Sequence, residues 1–184
     1  MKSVMFIAFL ACVSAPAYAD PKAGEQKAQL CLLCHRADKQ GNFVPILDGQ
    51  PREYIYNQIR AFKEKRRSDP AMQTNVASLS DRDMRDIADY FSGRKPVRSP
   101  FQPVAERVAK GKLRAEEFKC AACHRADYSG NKEVPRLAGL APPYLAWQIE
   151  DIARGKRPHP QVDGISNIAT EIAEDLAQYF AQLE

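Results

Sequence analysis

Apolar residues recur along this chain at helical spacing, and no run alternates as a half-buried strand would. Tyr54, Ile55, Ile59 and Phe62, with Gln58 among them, mark one face of a helix predicted over Tyr54–Lys65, and Tyr144–Arg154 repeats its character. A helix beginning at Ser80 carries Met84, Ile87, Ala88 and Phe91 on one side, and Ser80-x-x-Asp83 has the form of a capping box. Its equivalent begins at Thr170 and presents Ile172, Leu176, Tyr179 and Leu183. Two further helices are expected over Ala23–Leu30 and Pro103–Lys119. Between the halves, Pro96, Pro100 and Pro103 exclude a regular helix, so residues 93–103 read as an extended strap. The pattern predicts an all-α protein.

The uninterrupted apolar run Val4–Ala11 is short of the roughly 18 residues that span a bilayer. Preceded by Lys2 and followed by Ala17-Tyr18-Ala19, it reads as a cleavable export leader over 1–19, with Asp20 opening the mature chain. Leu10-Ala11-Cys12 offers an alternative, a lipoprotein cleavage site with Cys12 acylated. Export to the periplasm follows either way.

The halves are copies of one another. Cys31-Leu32-Leu33-Cys34-His35 recurs 89 residues later as Cys120-Ala121-Ala122-Cys123-His124. Val44-Pro45-x-Leu47-x-Gly49 matches Val134-Pro135-x-Leu137-x-Gly139 at an offset of 90, as do Tyr54, Gln58 and Ile59 with Tyr144, Gln148 and Ile149. Asp86 to Phe91 then matches Asp175 to Phe180, again at 89, so one residue is deleted after His159. The expected organisation is a first module at 20–92, the strap at 93–103 and a second module at 104–184. Each is near the size at which apolar burial alone stabilises poorly, a deficit that a large apolar cofactor would relieve.

With 184 residues and a net charge of +4, the chain carries no basic stripe and no interleaved aromatics of the kind that bind nucleic acid. Four cysteines in an exported chain first suggest two disulfides. The Cys-x-x-Cys-His spacing points elsewhere. Two thiols three residues apart on one helical turn can reach the two vinyl groups on one haem edge, and the following imidazole then lies under the iron. A redox dithiol would expect a strand–helix unit, and zinc would need a fourth ligand per site; neither pattern is present. Two covalently bound c-type haems are expected, on Cys31 and Cys34, and on Cys120 and Cys123, with His35 and His124 as proximal ligands.

The opposite face of each iron decides its chemistry. In the mature chain only Met72 and Met84 could supply a thioether. Met84 belongs to a helix's inner face. Met72 lies in the Pro-containing stretch SDPAMQTNVAS, read as a loop able to cover the first haem, and His35 and Met72 are assigned to the first iron. In the second half the position of Met72 falls on Gln161 or Val162, but His159 stands nearby in Arg157-Pro158-His159-Pro160. It is the sole histidine outside the two motifs, so His124 and His159 are assigned to the second iron; an open iron is the alternative. Pro45 and Pro135 are each placed to offer a backbone carbonyl to the proximal imidazole. Tyr54, Tyr144 and Trp147 are expected at haem edges or the interface between modules.

The two Cys-x-x-Cys-His motifs, both Pro-x-Leu-x-Gly stretches, the Tyr-x-x-x-Gln pairs, Met72, Leu79-Ser80-Asp81 and Tyr90-Phe91 together resemble the di-haem class I cytochromes c of the cytochrome c-four type. That resemblance implies two tandem class I cytochrome c folds related by a pseudo-twofold axis and joined by the Pro-rich linker. It also implies electron delivery between a quinol-oxidising complex and a terminal oxidase or reductase, with no transmembrane segment and peripheral membrane association left open. The family expects Met at both irons, and His159 departs from it. The chain is also similar to the cytochrome subunit of flavocytochrome c sulfide dehydrogenase, which implies the alternative role of electron-accepting subunit of a dehydrogenase. A ligand-binding second haem is a third reading. The chain is expected to be an electron carrier and not an enzyme, and peroxide cleavage in particular would lack acid–base residues, since no free histidine remains once His159 is placed.

Overall fold

A computed structural model describes residues 21–36, 43–160, 164–166 and 168–184. The leader at 1–19, and Gln161 and Val162, lie outside the described residues. Eight helices follow in order: α1 Pro21–Leu32, α2 Arg52–Lys63, α3 Pro70–Val76, α4 Asp81–Ser92, α5 Ala105–Glu117, α6 Ala121–His124, α7 Pro142–Ala153 and α8 Thr170–Gln182. Among the described residues the sole strand-like pairing is an isolated bridge between Asn131 and Val134. The all-α expectation holds.

The apolar faces read from the sequence build two cores. Ala28, Ile55, Ile59, Phe62, Val76, Met84, Ile87, Ala88 and Phe91 pack together in the first half. Ala115, Phe118, Tyr128, Tyr144, Leu145, Leu176, Ala177 and Phe180 do so in the second. Met84 is a buried member of the first core, as its place on the helix face required. The capping box at α4 forms: the Asp83 N–H donates to the Ser80 hydroxyl at 3.2 Å, and Asp83 accepts from the Ser80 N–H at 2.9 Å.

The stretch 68–78 contains a helix the sequence reading missed. Pro70 looks like a helix breaker, but it occupies the first turn of α3, where its absent N–H is no loss, and Asp69 caps that end through the Met72 N–H at 2.9 Å. Met72 is thus carried on a short helix, held more firmly than a loop would hold it. Likewise α5 starts at Ala105, two residues after the Pro103 start expected.

Helix α2 and its copy α7 end in the same turn. Lys65 (φ +58°) and Gly155 (φ +69°) take the left-handed conformation that closes a helix. The next two N–H groups of each then bond back, from Arg66 and Arg67 to the Ala61 carbonyl and from Lys156 and Arg157 to that of Asp151. An offset of 90 therefore persists through Arg157, which sets the deletion after it.

Each half also crosses its first and last helices at a glycine. A Cβ on Gly24 would lie 2.1 Å from the Asp86 carbonyl oxygen of α4, and one on Gly111 only 1.9 Å from that of Asp175 of α8. These are backbone contacts, so a side chain must push the helices apart. Gly24→Ala and Gly111→Ala are each expected to cost about 1–3 kcal/mol despite alanine's better helix propensity. An unchanged urea midpoint in both variants would refute this crossing.

The halves meet through pseudo-equivalent elements. Gln50 donates to the Arg136 carbonyl at 2.9 Å and accepts from the Arg136 N–H at 3.0 Å. The Arg136 side chain is buried and reaches the Asp48 carbonyl at 3.0 Å, while its counterpart Ile46 inserts into the second core. The strap runs between them, its Ser99 N–H bonded to the Gly139 carbonyl at 2.8 Å.

Candidate metal centres

Both Cys-x-x-Cys-His motifs form the same tight helical turn. The His35 N–H donates to the Cys31 carbonyl at 2.9 Å, and the His124 N–H to that of Cys120 at 3.0 Å. In one motif the turn follows the end of α1; in the other it is α6 itself. All four cysteines are free. Cys31 and Cys120 are partly buried, Cys34 and Cys123 exposed. Burial pushes the Cys31 thiol up, and that of Cys120 to about 11. A reactive redox dithiol works through a thiolate and calls for the opposite shift. Among the described residues no group of three or more His, Cys, Asp or Glu side chains could hold a bare metal ion. Paired thiols set beside a buried imidazole instead suit thioether attachment of a haem.

The proximal histidines are oriented as the Pro-x-Leu-x-Gly stretches implied. His35 Nδ1–H donates to the Pro45 carbonyl at 2.8 Å, and His124 Nδ1–H to the Pro135 carbonyl at 2.9 Å. The carbonyl fixes the proton on Nδ1 and leaves the Nε2 lone pair for a metal. Desolvation holds both imidazoles below the ordinary histidine range, opposed only in part by the proline carbonyls, so each is neutral at pH 7.

On the distal side the halves differ. In the first, Met72 packs against the core, as Cys31 and Leu32 do, and the charges of Asp69 and Arg67 act on His35. In the second, the His159 ring faces that of His124 with centroids 6.2 Å apart and planes 14° from parallel. That separation lies within the range of an offset ring contact, and it also matches two imidazoles sharing one ion, whose centres would be roughly 6.3 Å apart at about 2.0–2.1 Å per bond. His159 Nδ1 lies 2.7 Å from the Pro160 carbonyl, so this ring too is turned to leave Nε2 free. The residues present thus fit a haem in each half, and in the second the His159 ring stands beside that of His124.

Tyr54 and Tyr144 are buried at the interface between the halves, and Trp147 meets Phe43 of the other half edge-on at 6.1 Å. Arg67 and Arg157 join the two tyrosines there. Sequence reasoning did not single out either arginine, although their shared offset of 90 was available as a signal.

Comparison with known proteins agrees with this geometry. A family model described as Cytochrome c matches residues 108–179. The chain is 34% identical over 173 residues to a cytochrome c4 of Pseudomonas aeruginosa, covering 89% of this chain and 84% of that one. It is 28% identical to a thiosulfate dehydrogenase electron acceptor of Thiomonas intermedia, over 99% and 89% of the two chains. A solved cytochrome c4 of Acidithiobacillus ferrooxidans superposes with a TM-score of 0.76 at 28% identity, over 85% of this chain and 99% of that one.

Proposed function

The chain belongs to the cytochrome c4 family of di-haem electron-transfer cytochromes, and from that premise we propose that it is a periplasmic carrier of single electrons with two unlike irons. His35 and Met72 hold the first iron, His124 and His159 the second. Haem, covalently bound by Cys31 and Cys34 and by Cys120 and Cys123, supplies the one-electron iron centre. The chain's own residues set the rest. Two neutral imidazoles are stronger donors than an imidazole with a thioether and favour ferric iron, so the second haem has the lower potential and electrons rest on the first. The observation that carries the reading is the 6.2 Å spacing of His124 and His159 across a gap of the right width for one metal.

The leader at 1–19 supports export, and no helix among the described residues is long and apolar enough to cross a membrane. The partners of the carrier role are a quinol-oxidising complex upstream and a terminal oxidase or reductase downstream. A second reading, electron-accepting subunit of a dehydrogenase of the flavocytochrome c or thiosulfate-oxidising kind, is favoured by the likeness to named thiosulfate dehydrogenase electron acceptors. Co-purification with a catalytic subunit separates the two.

Low-temperature EPR of the oxidised protein tests the ligands. The wild type should give a low-spin signal for each haem, with the second converted to high spin in His159→Ala. The reduced variant should bind carbon monoxide rapidly where the wild type does not. Identical second-haem spectra in the two proteins would remove His159 from the iron.

A further inference from the structure

The strap covers the two Pro-x-Leu-x-Gly stretches differently. Against the first lies Pro96, whose Cγ a Cβ on Gly49 would meet at 2.5 Å. Against the second lies Arg98, and the stretch itself contributes Arg136. Gly139 is left-handed there (φ +72°), and a Cβ on it would come 2.9 Å from Cγ of Arg98 and 3.4 Å from Nη1 of Arg136. Bare backbone thus lets two cationic side chains close on one place. The duplicated fold does not need a charge at this point, because the position of Arg136 in the first copy is filled by Ile46, an apolar core residue.

Arg98, Arg136, Gly139, Leu183 and Glu184 line a cavity of about 250 Å³ against the strap. That is below the roughly 300–1,000 Å³ of sites for organic ligands, and far more than one water requires. Its charges are not balanced. Arg136 is only 4% exposed, and its guanidinium reaches two carbonyl oxygens, that of Ala138 and, at 3.0 Å, that of Asp48. Its Nε is buried without a partner. Arg98 is exposed and uses its Nε alone, on the Ala181 carbonyl at 3.3 Å, so both its Nη groups are without a partner among the described residues. Among those residues no carboxylate lies within ion-pair distance of either arginine, and Asp48 pairs with Arg94 at 2.7 Å instead. Burial pulls the Arg136 guanidinium down to about 10, opposed only by the charge of Asp48. A cation held in this way is costly unless an anion meets it.

We propose that this cavity binds a small oxyanion of the phosphate or sulfate class, held between Arg98 of the strap and Arg136 of the second half, so that the bound ion clamps the strap onto that half. A guanidinium fork matches two oxygens of such an ion, and the free Nη groups of Arg98 close over it from the exposed side. Glu184, which lines the same cavity, opposes the ion with its own charge and so limits the affinity. The site goes beyond the electron-carrier reading and does not depend on how either iron is ligated.

Isothermal titration calorimetry of the holoprotein with inorganic phosphate tests this, with ionic strength held constant by sodium chloride so that simple screening is the same throughout. One phosphate should bind per chain, and sulfate should compete with it. Arg98→Gln changes an exposed side chain and should weaken binding about tenfold or more, the contribution of one charge-assisted hydrogen bond. Glu184→Gln removes the opposing charge and should tighten binding severalfold. Phosphate should also raise the thermal midpoint of the wild type above that in chloride of equal ionic strength, and Arg98→Gln should lose the difference. Arg136→Gln should abolish binding, and where that buried substitution prevents folding the Arg98 and Glu184 variants decide. Absence of phosphate binding over the chloride background, an affinity unchanged in Arg98→Gln, or weaker binding in Glu184→Gln overturns the site.

Discussion

Replacing Cys31 and Cys34 together by alanine is expected to reduce the haem content of the matured chain from two to one and to unfold the first half. In the proposed attachment the thioethers are the only covalent hold on that haem, and the bonds from His35 and Met72 to its iron are reversible. The loss extends beyond colour. A module of this size buries too little apolar surface to be stable unaided, and its core of Ile55, Ile59, Phe62, Val76, Ile87 and Phe91 has Cys31 and Met72 packed against it, beside the expected haem crevice. Removing the largest apolar body from that crevice leaves an opening far larger than a side-chain truncation makes, and truncations alone cost about 2–5 kcal/mol. Pyridine haemochrome counting and far-UV circular dichroism check both parts: half the Soret absorbance per chain, and a fall in helicity confined to one of two unfolding transitions. The matching pair, Cys120→Ala with Cys123→Ala, should give the converse, leaving the His35 and Met72 centre spectrally intact. A double variant that still carries two covalent haems would end the attachment scheme, and a wild type without Soret absorption would end the whole account.

Where sequence reasoning succeeded, a local physical rule met a duplicated signal. The Ser80-x-x-Asp83 box, the inner face of Met84 and the carbonyls of Pro45 and Pro135 each rest on short-range geometry that tertiary packing had no cause to override. Proline misled it in the 68–78 stretch, because the same residue that breaks a helix interior favours a helix start. The preceding Asp69 was the discriminating sign. The arginine cluster was hidden for another reason. Arg67 and Arg157 look like solvated charges one at a time, and only the fold brings helix ends 90 residues apart onto one glutamine. Nor could sequence bring His159 to His124, since their ring distance is set only by the fold.

His159→Met follows from that distance and makes a graded test where alanine makes a blunt one. The substitution exchanges a strong imidazole donor for a thioether of similar reach while leaving the segment's other contacts, the Arg157 bonds to Gln148 and Tyr54, in place. Ferric iron loses more than ferrous iron, so the second haem's potential should rise, by on the order of 0.1 V out of the ~0.8 V that axial ligands command. At 59 mV per tenfold for one electron, that redistributes an electron between the two haems by about fifty-fold. Two separated waves in a spectroelectrochemical titration should draw together, and a thioether-to-iron charge-transfer band should double in the far red. Electron residence on the first haem would then lose most of its thermodynamic bias, and a partner that collects from that side should be reduced more slowly at equal driving force. A second wave that does not move, with no new far-red absorption, would mean that His159 faces His124 for some reason other than the metal between them.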